Sequence, residues 1–188
     1  VVGDVVGHGV GAALLMTTIR ALVRSSFQQS GPLEDRMNDV NRLLFQDTAP
    51  ASNFVTLFYL ELDQAAKLMR WVRAGHDPAL VINCRTREIT ELTGEGVALG
   101  VDLDWSFSCN ELLLSEDPQV ILICSDGVFE ATNESGESFG KRRVYKLLNS
   151  ITESTAPGFV VERLNKLRMM INMLSDLEWR LPHQDARR

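Results

Sequence analysis

The chain has 188 residues, 45% of them hydrophobic and 23% charged, which supports one soluble domain with a sizeable core and excludes a disordered tail or a mini-protein. With 25 acidic against 19 basic residues the formal charge is −6, which argues against a general electrostatic grip on nucleic acid or anionic lipid. Cys84, Cys109 and Cys124 are odd in number and widely spaced, so neither a disulfide framework nor a thiolate zinc site is expected, and a reducing compartment fits. No apolar run approaches the ~20 residues of a membrane span, and the first residues lack the basic start of a signal peptide. A cytoplasmic domain without direct membrane contact is the expectation. The chain starts at Val1 rather than Met and ends on Asp185-Ala186-Arg187-Arg188 with no closing element, so both ends are read as cuts.

Val1-Val2 reads as the end of a strand that runs into Gly3-Asp4-Val5-Val6-Gly7-His8-Gly9-Val10-Gly11, a tight glycine-rich loop. Ala12, Leu15, Met16, Ile19, Leu22, Val23 and Phe27 then recur at three- and four-residue steps, which predicts an amphipathic helix over 12–29. Leu33, Met37, Val40 and Leu44 mark one face of a second helix, 33–45, stopped by Ala49-Pro50-Ala51-Ser52. The β-branched and aromatic run 54–62 predicts a buried strand, and further strands follow at 67–73, 79–83 and 88–92. Short connections between them argue for antiparallel pairing. After a Gly-rich stretch, 94–100, strands are expected at 111–114 and 120–124, the second too apolar to be exposed, and helices at 139–151 and 158–174. Without repeats or linkers the economical account is one α+β domain.

Asp4 sits beside a glycine-rich loop and a helix start, where a carboxylate can hold a metal while loop amides and the positive helix end face an anion. The bland alternative is a turn or capping residue. Asp126 repeats the pattern, with an apolar strand before it and Gly127 after it, and two such carboxylates suit hard cations such as magnesium or manganese. The alternative for Asp126 is an ordinary Ser-Asp-Gly turn. His8, flanked by glycines, could touch a substrate oxygen or donate a proton. His76 lies in a turn between strands, Lys141-Arg142-Arg143 reads as a solvated helix face, and Met169, Met170 and Met173 read as a core or partner-facing stripe.

Four segments in order carry a resemblance. They are Gly3-Asp4-Val5-Val6-Gly7-His8-Gly9 with Ala12-Ala13-Leu14-Leu15-Met16, then Arg73-Ala74-Gly75-His76-Asp77-Pro78, then Leu99-Gly100, then Ser125-Asp126-Gly127-Val128-Phe129-Glu130-Ala131. Together they resemble the SpoIIE/RsbU-type branch of the PPM metal-dependent serine/threonine protein phosphatases. The resemblance implies a four-layer α-β-β-α sandwich, two antiparallel sheets covered by helices, here with truncated edges. Residues 1–188 would form a single PPM-type phosphatase domain, a fragment lacking the first strands and the last strand.

By the same resemblance, two Mn²⁺ or Mg²⁺ ions are expected, with Asp4 bridging them, the Val5 backbone carbonyl ligating one and Asp126 holding a metal on the other side. Metal-activated water would attack the phosphorus of a phosphoserine or phosphothreonine. His8 and Gly9 are the expected substrate contacts. The implied substrate is a phosphorylated STAS-domain protein, an anti-anti-sigma factor in a partner-switching pathway, under an upstream sensor domain or regulator. The pattern departs from the family at both ends. An upstream metal-binding Asp is missing, and Asp185 falls where the first Asp of a closing Asp-Asp-hydrophobic-Thr motif belongs, but Ala186 and Arg188 break that match. The alternative reading is therefore a catalytically impaired pseudophosphatase, a phosphoprotein-binding regulatory module.

Overall fold

The computed structural model describes residues 1–48 and 53–150 and the backbone of 179–180. The expected helix at 158–174, its methionines Met169, Met170 and Met173, and Asp185 lie outside the described residues. The chain divides into two compact units, Val1–Leu80 with Glu91–Glu116, and Val81–Thr90 with Asp117–Arg188.

The first unit is built on an antiparallel sheet in the order β1-β2-β3-β6, formed by Val2–Val5, Val55–Asp63, Leu68–Ala74 and Asn110–Leu113. β2 is central and long because its run of Val, Leu, Phe and Tyr fits a pleated, buried surface. Two helices accompany the sheet, α1 (Gly9–Ser26) and α2 (Leu33–Thr48). α1 packs on α2 and β1, and α2 packs on β3. Leu15, Ile19 and Val23 of α1 and Leu33, Met37, Val40 and Leu44 of α2 meet Val55, Leu57, Tyr59 and Val72 of the sheet in one core. These are the residues whose helical spacing marked the buried faces. Burying a side chain such as Leu44 completely contributes about 1.5–3 kcal/mol.

Two details of α1 differ from the sequence expectation. The helix begins at Gly9, three residues early, and ends at Ser26, where the Phe27 amide bonds back to the Val23 carbonyl and the Gln28 amide to the Ser25 carbonyl. Met16 is 41% exposed, because it lies at the rim of the stripe whose centre is Leu15, Ile19 and Val23. Past the turn at Gly31-Pro32, α2 carries Glu34 and Asp35 in its first turn, which complements the helix dipole. Phe27 stacks on Tyr59 with ring centroids 4.0 Å apart, and Arg36 lies over Phe27 while its guanidinium donates to Glu61 at 2.8 Å. This cluster ties the α1–α2 junction to β2.

A second sheet has the order β5-β4-β7, with β4 at Ala79–Asn83, β5 at Ile89–Leu92 and β7 at Gln119–Leu122. The β4–β5 connection is too short for a parallel crossover. Its turn is organised by Asn83, whose Oδ1 accepts from the Arg85 and Thr86 amides at 2.9 and 3.0 Å. β7 is half-buried along its length, with none of its residues exposed, as its apolar run suggested. The second unit continues with α3 (Gly127–Glu130), β8 (Thr132–Asn133) and α4 (Gly140–Leu148), and β8 pairs antiparallel with β9 (Trp179–Arg180). Among the described residues no helix is long and apolar enough to cross a membrane.

Candidate metal centre

Asp4 is exposed on β1, which among the described residues is an edge strand paired with β2. It lies within the strand and not after it, because pairing with β2 runs through Asp4↔Thr56 and Val5↔Val55 and on to a bond from the Val6 amide to Phe54 O at 3.2 Å. One carboxylate oxygen of Asp4 accepts from the Val5 amide at 3.0 Å. The side chain of Val5 is buried, which anchors the strand end, while Asp4 on the opposite face of the pleat meets solvent. Gly7 and Gly9 adopt φ of 89° and 82°, a region that strains any residue with a Cβ. They let the chain turn from β1 into α1 across Val6, Gly7 and His8. His8 occupies the position just before α1 and Gly9 is its first residue. Asp4, Val5, His8 and Gly9 thus share one short segment of the first unit.

The middle two motifs explain how Asp4 is supported. Thr56, the register partner of Asp4, shares a 2.8 Å hydrogen bond between its Oγ1 and Nδ1 of His76, and His76 is 2% exposed. Arg73 donates from Nε to the His76 carbonyl and from Nη1 to the Gly94 carbonyl at 2.8 Å. Gly96 packs so closely on the Arg73 carbonyl that a Cβ would lie 2.0 Å from that oxygen. Leu99 exchanges both backbone bonds with Val55, at 2.8 and 3.0 Å, and Asn41 Oδ1 accepts from the Gly100 amide at 2.9 Å. The segments around His76 and Leu99 are therefore structural. They fix the β2 residues against which Asp4 is registered.

Sequence reasoning did not single out Thr56 or Gly96, and it gave Arg73 only as part of a motif, without a role. A signal existed for Thr56, the polar residue inside the apolar run from Phe54 to Leu60, where a hydroxyl needs a buried partner.

Asp126 belongs to the second unit. After β7 the buried Cys124 leads through Ser125 to Asp126, which stands at the position before α3 with helical backbone angles, φ −55° and ψ −28°. Its main-chain carbonyl accepts from the Glu130 amide at 2.9 Å, but its side chain makes no capping hydrogen bond and is exposed. Val128 and Ala131, three apart on the following turn, are buried and hold α3 down. The carboxylate is thereby left for another task.

Exposed carboxylates and a backbone carbonyl are the oxygen donors that magnesium or manganese prefers, so Asp4, Val5 and Asp126 fit such an ion in kind. Among the described residues no group of three or more His, Cys, Asp or Glu side chains is gathered tightly enough to hold a metal.

The model of the Stage II sporulation protein E (SpoIIE) family matches residues 1–173. Among curated proteins, the phosphoserine phosphatase RsbU of Bacillus subtilis is 27% identical over 135 residues, covering 72% of this chain and 40% of RsbU. The phosphoserine phosphatase RsbP of the same organism is 31% identical over 133 residues, covering 69% of this chain and 32% of RsbP. The chain thus spans about two fifths or less of these relatives. Of the solved structures, the SiaA PP2C domain of Pseudomonas aeruginosa matches with a TM-score of 0.73 at 19% identity, covering 94% of this chain and 67% of that one. The PP2C phosphatase domain structure of SpoIIE from Bacillus subtilis matches with a TM-score of 0.70 at 10% identity, covering 93% and 48%. At such identities these likenesses establish the fold, which is the PPM phosphatase fold of antiparallel sheets and helices. Motifs, fold and family match agree, and the chain belongs to the SpoIIE family, in the SpoIIE/RsbU-type branch of the PPM phosphatases.

Proposed function

We propose that this chain is the catalytic domain of a metal-dependent phosphatase that hydrolyses phosphoserine or phosphothreonine on a protein, with a STAS-type anti-anti-sigma factor as the substrate class. The observation that carries the reading is the pair of exposed acids in a chain of this family, Asp4 near the end of β1 ahead of the turn into α1 and Asp126 directly before α3. The description of two relatives as phosphoserine phosphatases supports it.

Asp4, the Val5 carbonyl and Asp126 would hold two Mn²⁺ or Mg²⁺ ions, with Asp185 as a further candidate ligand. When bound, such ions supply a more acidic water and positive charge against the phosphoryl oxygens. Pairing with β2 fixes the strand that carries Asp4 and the Val5 amide holds one of its carboxylate oxygens, which lowers the cost of assembling the site. His8 and Gly9 stand at the amino end of α1, whose first turn carries no acidic side chain. An anionic phosphoryl group there is favoured by about 0.3–1 kcal/mol from the helix dipole, so this end orients the substrate. Residues 1–188 act as one phosphatase domain under an upstream sensor or regulator in the cytoplasm.

The test is phosphate release by the full-length protein from a serine-phosphorylated STAS-domain protein, with p-nitrophenyl phosphate as a small-ester control. The reading predicts turnover that is lost with a chelator, restored by Mn²⁺ and faster on the phosphoprotein. Binding without turnover at any metal concentration would replace the enzyme with an interaction module. A preference for small esters would overturn the substrate class.

A further inference from the structure

Thr56 interrupts the apolar run of β2 and shares one face of the sheet with Asp4. Val55 and Leu57, its neighbours along the strand, join Val5 in the core with α1 and α2, so the alternation of the pleat sends the Thr56 and Asp4 side chains to the opposite face. The two are register partners, and directly opposed side chains of an antiparallel pair start from Cβ atoms about 5 Å apart. One carboxylate oxygen of Asp4 is taken by the Val5 amide. At that spacing the Thr56 hydroxyl can serve the other, directly or through one water.

A hydroxyl has a single proton, and where it points is set by His76, whose Nδ1 lies 2.8 Å from Thr56 Oγ1. If Nδ1 accepts, the hydroxyl proton is spent on the ring, and the lone pairs of Oγ1 confront the carboxylate. If Nδ1 carries a proton, the ring donates, Oγ1 accepts, and the hydroxyl proton is released towards Asp4. The second arrangement pairs the groups in series, whereas the first leaves two acceptors facing each other. The segment that carries the ring is held firmly. His76 is 2% exposed and its carbonyl accepts from Arg73 Nε. The preceding Gly75 adopts φ 65°, a built Cβ there would lie 2.8 Å from the Ala98 amide nitrogen, and a bridge ties Gly75 to Leu57, the residue after Thr56.

We propose that Thr56 and His76 are positioning residues for Asp4: His76 donates from Nδ1 to Thr56 Oγ1, and Thr56 donates to the Asp4 carboxylate, holding it in the orientation that takes a divalent cation. The inference rests on the metal-dependent function proposed above and deepens it. Removing a group that orients a ligating carboxylate in this way weakens metal binding by about 10–100-fold. The role resides in the hydroxyl proton and not in the volume of the side chain, which separates it from packing.

The experiment uses the full-length protein without substrate. Mn²⁺ binding is read from the electron paramagnetic resonance signal of the free ion, well below the melting transition. Thr56→Val, close in shape but without the hydroxyl, is expected to bind Mn²⁺ at least about tenfold more weakly, and Thr56→Ser within about twofold of the wild type. Val72→Ala, in the core on the other face of the same sheet, lowers stability without touching the hydroxyl and is expected to leave Mn²⁺ binding unchanged. In the metal-free wild type, long-range nitrogen-15 magnetic resonance of labelled histidine, assigned with His76→Gln, is expected to show Nδ1 protonated. That measurement decides the hydrogen-bond direction even if Thr56→Val does not fold. A bare Nδ1, Thr56→Val binding Mn²⁺ as tightly as the wild type, or an equal loss in Val72→Ala overturns the inference and leaves the proposed function standing. A wild type that binds no Mn²⁺ overturns that function and the inference with it.

Discussion

Replacing Gly96 by Ala adds one methyl group at the place where the support behind Asp4 is most tightly closed. The new Cβ would lie 2.0 Å from the Arg73 carbonyl oxygen, and since real Cβ contacts do not fall below 3.0 Å, something must move by about 1 Å. Arg73 cannot yield easily. Its backbone is in register with Phe58 in the β2–β3 ladder, and its side chain holds the Gly94 and His76 carbonyls. Overpacking against a fixed backbone costs about 1–3 kcal/mol and more where nothing relaxes, so a loss of about 3 kcal/mol is expected. For a chain of this length that lowers the melting temperature by about 6–12 °C.

Gly11→Ala is the matched control. It adds the same methyl within α1, where nothing lies within 4 Å of the built Cβ. There the helix gains about 0.5–1 kcal/mol over glycine, and the melting temperature rises by about 1–4 °C. Thermal melts followed by far-ultraviolet circular dichroism read both. A Gly96→Ala protein melting within about 2 °C of the wild type, or a Gly11→Ala loss as large, would refute the packing argument.

Thr56→Val deprives the buried His76 of the hydroxyl at its Nδ1 and is expected to cost about 1–3 kcal/mol in urea unfolding, with Thr56→Ser recovering most of the loss. Glu137 is held below its ordinary carboxylate value of 4.5, first by the hydrogen bond from Arg143 and then by that residue's charge. A depressed carboxyl stabilises the folded state above the unfolded value and loses that contribution as pH falls through the folded value. A nuclear magnetic resonance titration should therefore show Glu137 titrating below 4.5 in the wild type and rising towards it in Arg143→Ala.

The helices and most strands were legible because their apolar residues repeat at the spacing of the element that buries them. Leu15, Ile19 and Val23, or Met37, Val40 and Leu44, announce a helix face before any coordinate is known. The start of α1 was not legible, since Gly9-Val10-Gly11 reads as loop by composition and becomes helix through its continuation. α3 spans four residues and β8 two, lengths below any periodic signal. Asp4 and Asp126 could be read from sequence as acids beside glycine turns, whereas the Thr56, His76, Arg73 and Gly96 contacts depend on pairings distant in sequence, which no local pattern reports. The basic character of α4 was visible, but its place beside α3 was not.

The central claim is that Asp4 and Asp126, drawn from separate stretches of the chain, serve one metal-dependent reaction. The most direct measurement is the Mn²⁺ dependence of phosphate release from a serine-phosphorylated STAS-domain protein by the full-length wild type, Asp4→Asn, Asp126→Asn and the double variant. Each single change is expected to lower the rate by at least about 10²-fold, with the double variant scarcely worse than either, as groups acting in a unit behave. Wild-type rates in either single variant, or turnover indifferent to Mn²⁺ and chelator, would contradict it.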